Sequence, residues 1–433
     1  MLQKYSILGI LLALITVGAI GQNYNNNPYT RFAIGDLINY GMTYNRSLGG
    51  SSIALRPSNQ VNYLNPASYS AQDTLSFLFH TGLSGRLSYL STNEAQDISR
   101  NMNIEYLAIG FPVTRWLKMS AGLVPFSRTQ YTFNDFQEEE VAIAYKGRGG
   151  FNTFYMGAAL KPFKIASIGF NAGYLFGELY RERSIDIPGQ IVAKTTINER
   201  FIASDFIFNL GLQVHPEFKT ASGRTHKFVL GVILDVERNI NIRNITETQR
   251  LFPTNYVSAG IQPLIDIFNM DTIPLILKLP LKYGLGISYS YDNRISITAE
   301  YSTQKFSNGI ELFDDIALKD YQSYRFGIDY IPSPMTDRSR ARYFQRIHYR
   351  AGAYFTNTYL SFNGHQVNDA GISAGVGLPW RNTQKLYTNT AFNFTYEFGR
   401  RGTQDFGLIR EYYHRFTLGV TLFDYWFLKP KYD

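Results

Sequence analysis

The sequence predicts an all-β fold, a transmembrane antiparallel β-barrel of about fourteen strands with a short N-terminal hatch inside its lumen. Three observations predict it. Apolar and polar residues alternate with a period of two over stretches longer than a globular strand. The connections between them alternate between tight turns and long loops for much of the chain. The composition is aromatic-rich and charge-poor, with 32 Tyr, 32 Phe and only 18% charged residues.

The order along the chain supports a three-part organisation. The start, "MLQKYSILGILLALITVGAIGQ", has a basic Lys4, an apolar run from Ile7 to Val17 and small residues around Gly21. Residues 1–21 therefore read as a secretory signal peptide. The apolar run is short for a membrane-spanning helix. The chain has no Cys, so neither a lipid anchor nor a disulfide is expected after the cut. Residues 22–73 are polar and Gly-rich and read as the hatch, and residues 74–433 as the barrel.

The first strand shows the pattern. In "TLSFLFHTGLSGRLSYLS", Leu75, Phe77, Phe79, Leu83 and Leu87 share one face, and Ser76, His80, Ser84 and Arg86 the other. That suits lipid outside and a wet lumen, with His80 and Arg86 facing inward. Similar stretches follow near 103–113, 115–128, 143–162, 164–184, 198–214 and 227–243. The rest lie near 279–291, 294–303, 321–331, 345–356, 366–377, 387–398 and 411–427. "KPFK" at 161–164 and "YDNR" at 291–294 read as tight turns, and 244–278 and 305–319 as long loops. A soluble sandwich or propeller would also alternate, but with shorter strands and a polar outer face. The C-terminal strand, with Tyr425, Trp426 and Phe427, suits recognition by barrel-insertion machinery. The six residues after it depart from the simplest form of that signal.

The formal charge is +8. The signal peptide argues against nucleic acid as the partner. Much of the base falls on the short-turn side, including Arg115, Lys118, Lys161, Lys164, Lys219, Arg224 and Arg294, while Glu138-Glu139-Glu140 lies opposite. Charges cluster at barrel rims in any case. The sharper expectation is a basic periplasmic rim that meets an acidic protein partner or anionic lipid.

The hatch stretch "SLGGSSIALRPSNQVNYLNPAS" carries Gly49-Gly50, which permit a tight bend, and Asn65-Pro66-Ala67, where Pro66 restricts the residue before it. A barrel of fourteen strands is too wide for side chains alone to fill. The order of features resembles the long-chain fatty acid transporter family, the FadL type of outer-membrane barrel. The matching hatch residues are Gly49, Gly50, Ala54, Asn65, Pro66 and Ala67. "GLVPFS" from Gly122, "GGFNTFYMGAALKPF" from Gly149, "GFNAGYLFGELYRER" from Gly169 and the "DYWFLKPKYD" end also look like that family. The resemblance implies a Gram-negative outer-membrane location, periplasmic termini, a hydrophobic ligand and exit through a gap where the third strand kinks. Gly122 and Pro125 offer a physical basis for such a gap, because Pro removes a ladder donor. The resemblance does not specify the ligand, since related barrels serve as hydrocarbon channels or secretion-system shuttles.

An apolar segment within the 244–278 loop, with Ile261, Leu264, Ile265 and Phe268, reads as a short amphipathic helix at the outer mouth and a greasy landing site. The six His residues lack metal-ligand spacing, and "SLGGSS" lacks the ending of a phosphate loop. A Ser–His pairing around His80 is the one nucleophile arrangement open to the sequence. No enzyme activity, metal or cofactor is expected. The functional expectation is passive uptake of hydrophobic, fatty-acid-like small molecules. The alternative is a non-transporting barrel subunit of an outer-membrane assembly or secretion complex. A lumen lined by apolar residues favours uptake, and one filled by charged pairs favours the subunit.

Overall fold

The computed structural model describes residues 27–425, except 75, 138–140, 187–193, 252–264, 309–317, 334–341, 363 and 381–389. The expected signal peptide, the Glu138–Glu140 run, Ile261, Leu264 and the C-terminal tail lie outside the described residues.

The described chain forms a closed antiparallel barrel of fourteen staves. We number them β1 (Ser76–Ser91), β2 (Gln96–Pro112), β3 (Leu117–Pro125, resuming as Ser127–Gln137), β4 (Val141–Phe163), β5 (Ala166–Asp186) and β6 (Lys194–Val214). They continue as β7 (Thr225–Asp235, resuming as Arg238–Leu251), β8 (Ile265–Leu279, resuming as Lys282–Tyr291), β9 (Ile295–Gln304), β10 (Tyr321–Tyr330) and β11 (His348–Phe362). The last are β12 (His365–Pro379), β13 (Ala391–Arg401) and β14 (Arg410–Tyr425). β14 closes on β1 from Arg410↔Ser91 to Tyr425↔Ser76. Closure joins the last stave to the first, as a lipid environment demands of a sheet.

The alternation seen in the sequence becomes two surfaces. On β1, Ser76, Leu78, His80 and Ser84 are buried inward, and Tyr89 is exposed outside. The outer wall carries Leu, Ile and Phe, and exposed Trp116, Phe163, Phe218 and Trp380 stand close to the short-turn rim, as an aromatic girdle does.

Two expectations are corrected here. The segment from Ile265 through Phe268 is not helical: it opens β8 and pairs with β7, with Ile265 opposite Leu251. "IDIFNMDTIPLILKL" supplies a continuous strand rather than a loop helix. Lys118 does not belong to the rim charge. It lies on an inward position of β3 and is 3% exposed, because strand alternation aims it into the lumen.

The third stave breaks at Phe126. Below the break, Leu123 to Lys118 pair with Leu107 to Pro112 of β2. Above it, β3 stays with β4 but leaves β2. Gly149 and Gly150 of β4 take φ of +103° and +141° opposite the break, a backbone that side chains other than glycine strain to adopt. Among the described residues no strand pairs with β2 over Gln96–Tyr106 on the β3 side. The vacated edge of β3 is taken instead by the hatch. Its two-residue strand Asp36–Leu37 pairs with Arg128 and Ser127, and Asn27 N–H donates to Gln130 O at 3.1 Å.

Candidate functional site: the hatch and the lumen

Residues 27–73 fill the lumen. They contain short 3-10 turns at Pro28–Arg31 and Pro66–Ala71 and one helical turn, α1 (Thr43–Arg46). Asn65 caps the second 3-10 turn: its Oδ1 accepts from Ala67 N–H at 3.1 Å, and its Nδ2 donates to Ile53 O at 2.6 Å. Pro66 sits at the first position of that turn, where a missing N–H costs nothing. Gly49 and Gly50 have φ of +68° and +81° and turn the chain against β10 and β11.

The wall is shaped to receive this segment at backbone distance. A Cβ on Gly352 would stand 2.1 Å from Gly49 N. A Cβ on Gly231 would stand 2.2 Å from Ile53 O, and one on Gly169 would stand 2.3 Å from the Pro66 carbonyl carbon. Inward glycines on β5, β7 and β11 are therefore sockets for the hatch, a role that close backbone approach reserves for glycine.

Buried charges tie the hatch to the staves. Arg46 of α1 bridges Glu105 of β2 at 3.1 Å and Glu397 of β13 at 3.4 Å. Glu105 reaches inward because β2 carries a bulge: Gly82 pairs with Tyr106 and Leu83 with Ile104, so two successive residues face the lumen. Tyr106, the second of them, lies 2.7 Å from Thr43 Oγ1 through its hydroxyl. Glu300 of β9 accepts from Ser52 N–H at 2.7 Å and Ile53 N–H at 2.8 Å, and pairs with Arg325 at 3.2 Å. Arg325 in turn donates to Gly50 O at 2.9 Å. Asp36 holds Arg401 with both oxygens at 2.6 Å. Burial alone would raise the Asp36 carboxyl, but the Arg401 guanidinium holds it below the ordinary carboxylate value. The Tyr40 ring has the guanidinium carbons of Arg46, Arg325 and Arg415 at 5.4, 5.7 and 5.4 Å from its centroid.

His80 is part of this seating. Its Nε2 accepts from Val61 N–H at 3.2 Å, and its Nδ1 lies 3.1 Å from Thr421 Oγ1. Ser84, one of the serines the sequence offered as a partner, instead donates to Glu105. Arg86 pairs with Glu411 at 2.7 Å and lies over the Tyr413 ring. The sequence reading brought out His80 and Arg86 but missed Arg46, Glu105, Glu300, Arg325 and Glu397. For Glu300 the available signal was a lone charge at an inward position of an otherwise uncharged alternating stretch, "ISITAEYSTQ".

The opposite side of the lumen carries a large apolar cluster. Phe151, Leu175, Leu179, Phe201, Ile240 and Leu277, from β4 to β8, form one buried cluster. A cavity of about 140 Å³ lies lower on that side, between the hatch and the wall. Leu37, Tyr63, Leu64, Pro125, Phe126 and Ile233 line it, together with Asn209 and Asp235. Pro125 thus flanks both the wall break and the cavity. Gly122 lies three residues lower, where a Cβ would stand 2.5 Å from Leu107 O and would push β2 and β3 apart.

A barrel of this topology with an N-terminal hatch defines the FadL-type fold, and solved structures bear this out. The chain is similar to a FadL homologue of Pseudomonas aeruginosa (TM-score 0.62, 11% identity, covering 89% of this chain and 99% of that one). It is also similar to the toluene transporter TodX of P. putida (TM-score 0.58, 12% identity, 91% and 100% covered). A third is the toluene transporter TbuX of Ralstonia pickettii (TM-score 0.57, 13% identity, 89% and 98% covered). Two of the three are transporters by name, and at such identities the likeness is one of fold. No curated protein matches the sequence. The family is given by the sequence itself: the BamG family model matches residues 1–433, and the chain belongs to the BamG family.

Proposed function

We propose that this barrel is a plugged, non-transporting subunit of an outer-membrane protein assembly, and that its hatch does not open. One observation carries the reading. The hatch is seated at backbone distance on wall glycines and tied to several staves by buried ion pairs. Withdrawing it would take Arg46 from buried Glu105 and Glu397 and the Ser52 and Ile53 amides from buried Glu300, and losing a partner of a buried charged group is costly. In this reading the short-turn rim and both termini face the periplasm of a Gram-negative cell. The rim exposes Arg115, Lys161, Lys164, Lys219 and Arg224, which suits an acidic protein surface.

A second reading rests on the apolar side. The cavity beside Pro125 suits a small hydrophobic molecule, and a dry cavity of about 150 Å³ is enough for benzene. With the break in β3 alongside, it supports passive uptake with lateral exit. Fatty-acid-like ligands would need more room than this cavity has.

Native mass spectrometry of the protein, extracted gently from its own membrane, separates the two. A stoichiometric protein partner with no small lipophile supports the subunit. A lone barrel carrying a lipophilic ligand overturns it in favour of uptake.

A further inference from the structure

The break in β3 opens onto more than the apolar cavity. Leu37 and Ile38 divide that cavity from a second, of about 740 Å³, which reaches up behind the vacated edge of β2. Its chemistry is the reverse of the first. Seven Arg and Lys side chains line it against three carboxylates, Asp36, Glu105 and Glu182. Deeper in, Arg401 is held by Asp36, and Arg415 by Glu397 at 3.4 Å. The cations nearest the opening are Arg128, Lys146 and Arg148, against Glu105 and Glu182. Arg128 spans the break itself: it donates to Ile104 O at 3.0 Å and pairs with Glu105 at 3.3 Å, and it is 28% exposed. Lys146 pairs with Glu182 at 3.3 Å and is half-exposed, and Arg148 lies over the Tyr180 ring at 5.0 Å. Outside the same stretch of β2, the wall is greasy: Ile98, Met102 and Ile104 are exposed.

We infer that this vestibule receives the anionic head group, phosphate or carboxylate, of an amphiphile whose tail stays in the bilayer along the outer face of β2. Guanidinium groups suit such an anion by geometry as well as charge, since their paired N–H donors match its oxygens. The lateral opening lets the head group enter without the tail leaving lipid. The inference shares the break in β3 with the uptake reading but rests on neither reading, because it uses neither the short-turn rim nor the apolar cavity.

The test uses the full-length protein in nanodiscs of equal phosphatidylglycerol and phosphatidylcholine, with retained lipid read by native mass spectrometry. Preferential retention of phosphatidylglycerol is expected. Arg128→Gln with Arg148→Gln is expected to lower that retention at least tenfold. Lys146→Gln with Arg148→Gln touches no hatch contact and is expected to lower it as well, with an unchanged melting temperature. Equal retention of both lipids by the wild type overturns the inference. So does retention that both variants leave intact. Thermal protection by inorganic phosphate without lipid retention keeps the anion site and overturns its lipid source.

Discussion

The two halves of the lumen hold the same hatch by different physics. From β9 round to β2 the inward positions carry Glu300, Arg325, Glu397, Arg401 and Glu105, each matched to a particular atom of the hatch or of a neighbouring stave. From β4 to β8 they carry Phe151, Leu175, Phe201 and Leu277, which attract without direction, beside the neutral amides of Asn171 and Gln213, which donate to Tyr63 O and Ile53 O at 2.8 and 3.0 Å. Hydrogen-bonded charges fix one register, because a displaced partner is costly. Apolar packing tolerates adjustment, and the small cavity lies on that side. The buried ion pairs to the hatch thus fall on one wall, and the small cavity lies on the other.

The comparison breaks first at Glu300. Replacing it with Ala removes the acceptor for Ser52 N–H and Ile53 N–H and leaves Arg325 buried without its carboxylate. A loss of about 3–5 kcal/mol is expected in urea unfolding from micelles. Leu175→Ala, on the apolar side, is expected to cost about 2–4 kcal/mol by leaving a cavity. Limited proteolysis should tell the two apart: hatch cleavage rises in Glu300→Ala and stays at the wild-type level in Leu175→Ala.

Gly352→Ala probes the socket itself. Its Cβ would meet Gly49 N and the Leu48 carbonyl carbon, so about 1–3 kcal/mol is expected, again with an exposed hatch. Asn65→Ala removes the cap and the bond to Ile53 O, for about 1 kcal/mol in the same unfolding assay. The smallest effect is one of pH. The Asp36 carboxyl is depressed, so its contribution is present above the unfolded carboxylate value and is lost only as pH falls through the lower folded one. Hatch protection measured at pH 7 and pH 5 is expected to be the same.

The staves were legible because a period of two survives any choice of residue within a class. "TLSFLFH" reads as a wall whether or not its neighbours are known. Asn65-Pro66-Ala67 was legible because capping and the proline restriction act locally. The ion pairs were not, since Arg46 meets Glu397 across 351 positions of sequence and no local rule joins them. The bulge that turns Glu105 inward shifts the alternation by one, and a pattern reader passes over a single slip. The sockets left a trace in "YGLGIS", where Gly284 and Gly286 take successive inward positions against Ile53. The expected helix around Ile265 failed because a short apolar run does not declare its period.

The distribution of hatch contacts also sets a schedule. The hatch precedes every stave in the chain, yet its anchors include Glu300, Arg325, Gly352, Glu397 and Arg401, from the last third of the sequence. A segment synthesised before the staves acquires its full set of contacts only after the final staves have arrived. Contacts between such distant parts of a chain form slowly, because a long loop must close before they gain anything. Full seating of the hatch therefore reports that the barrel has been completed.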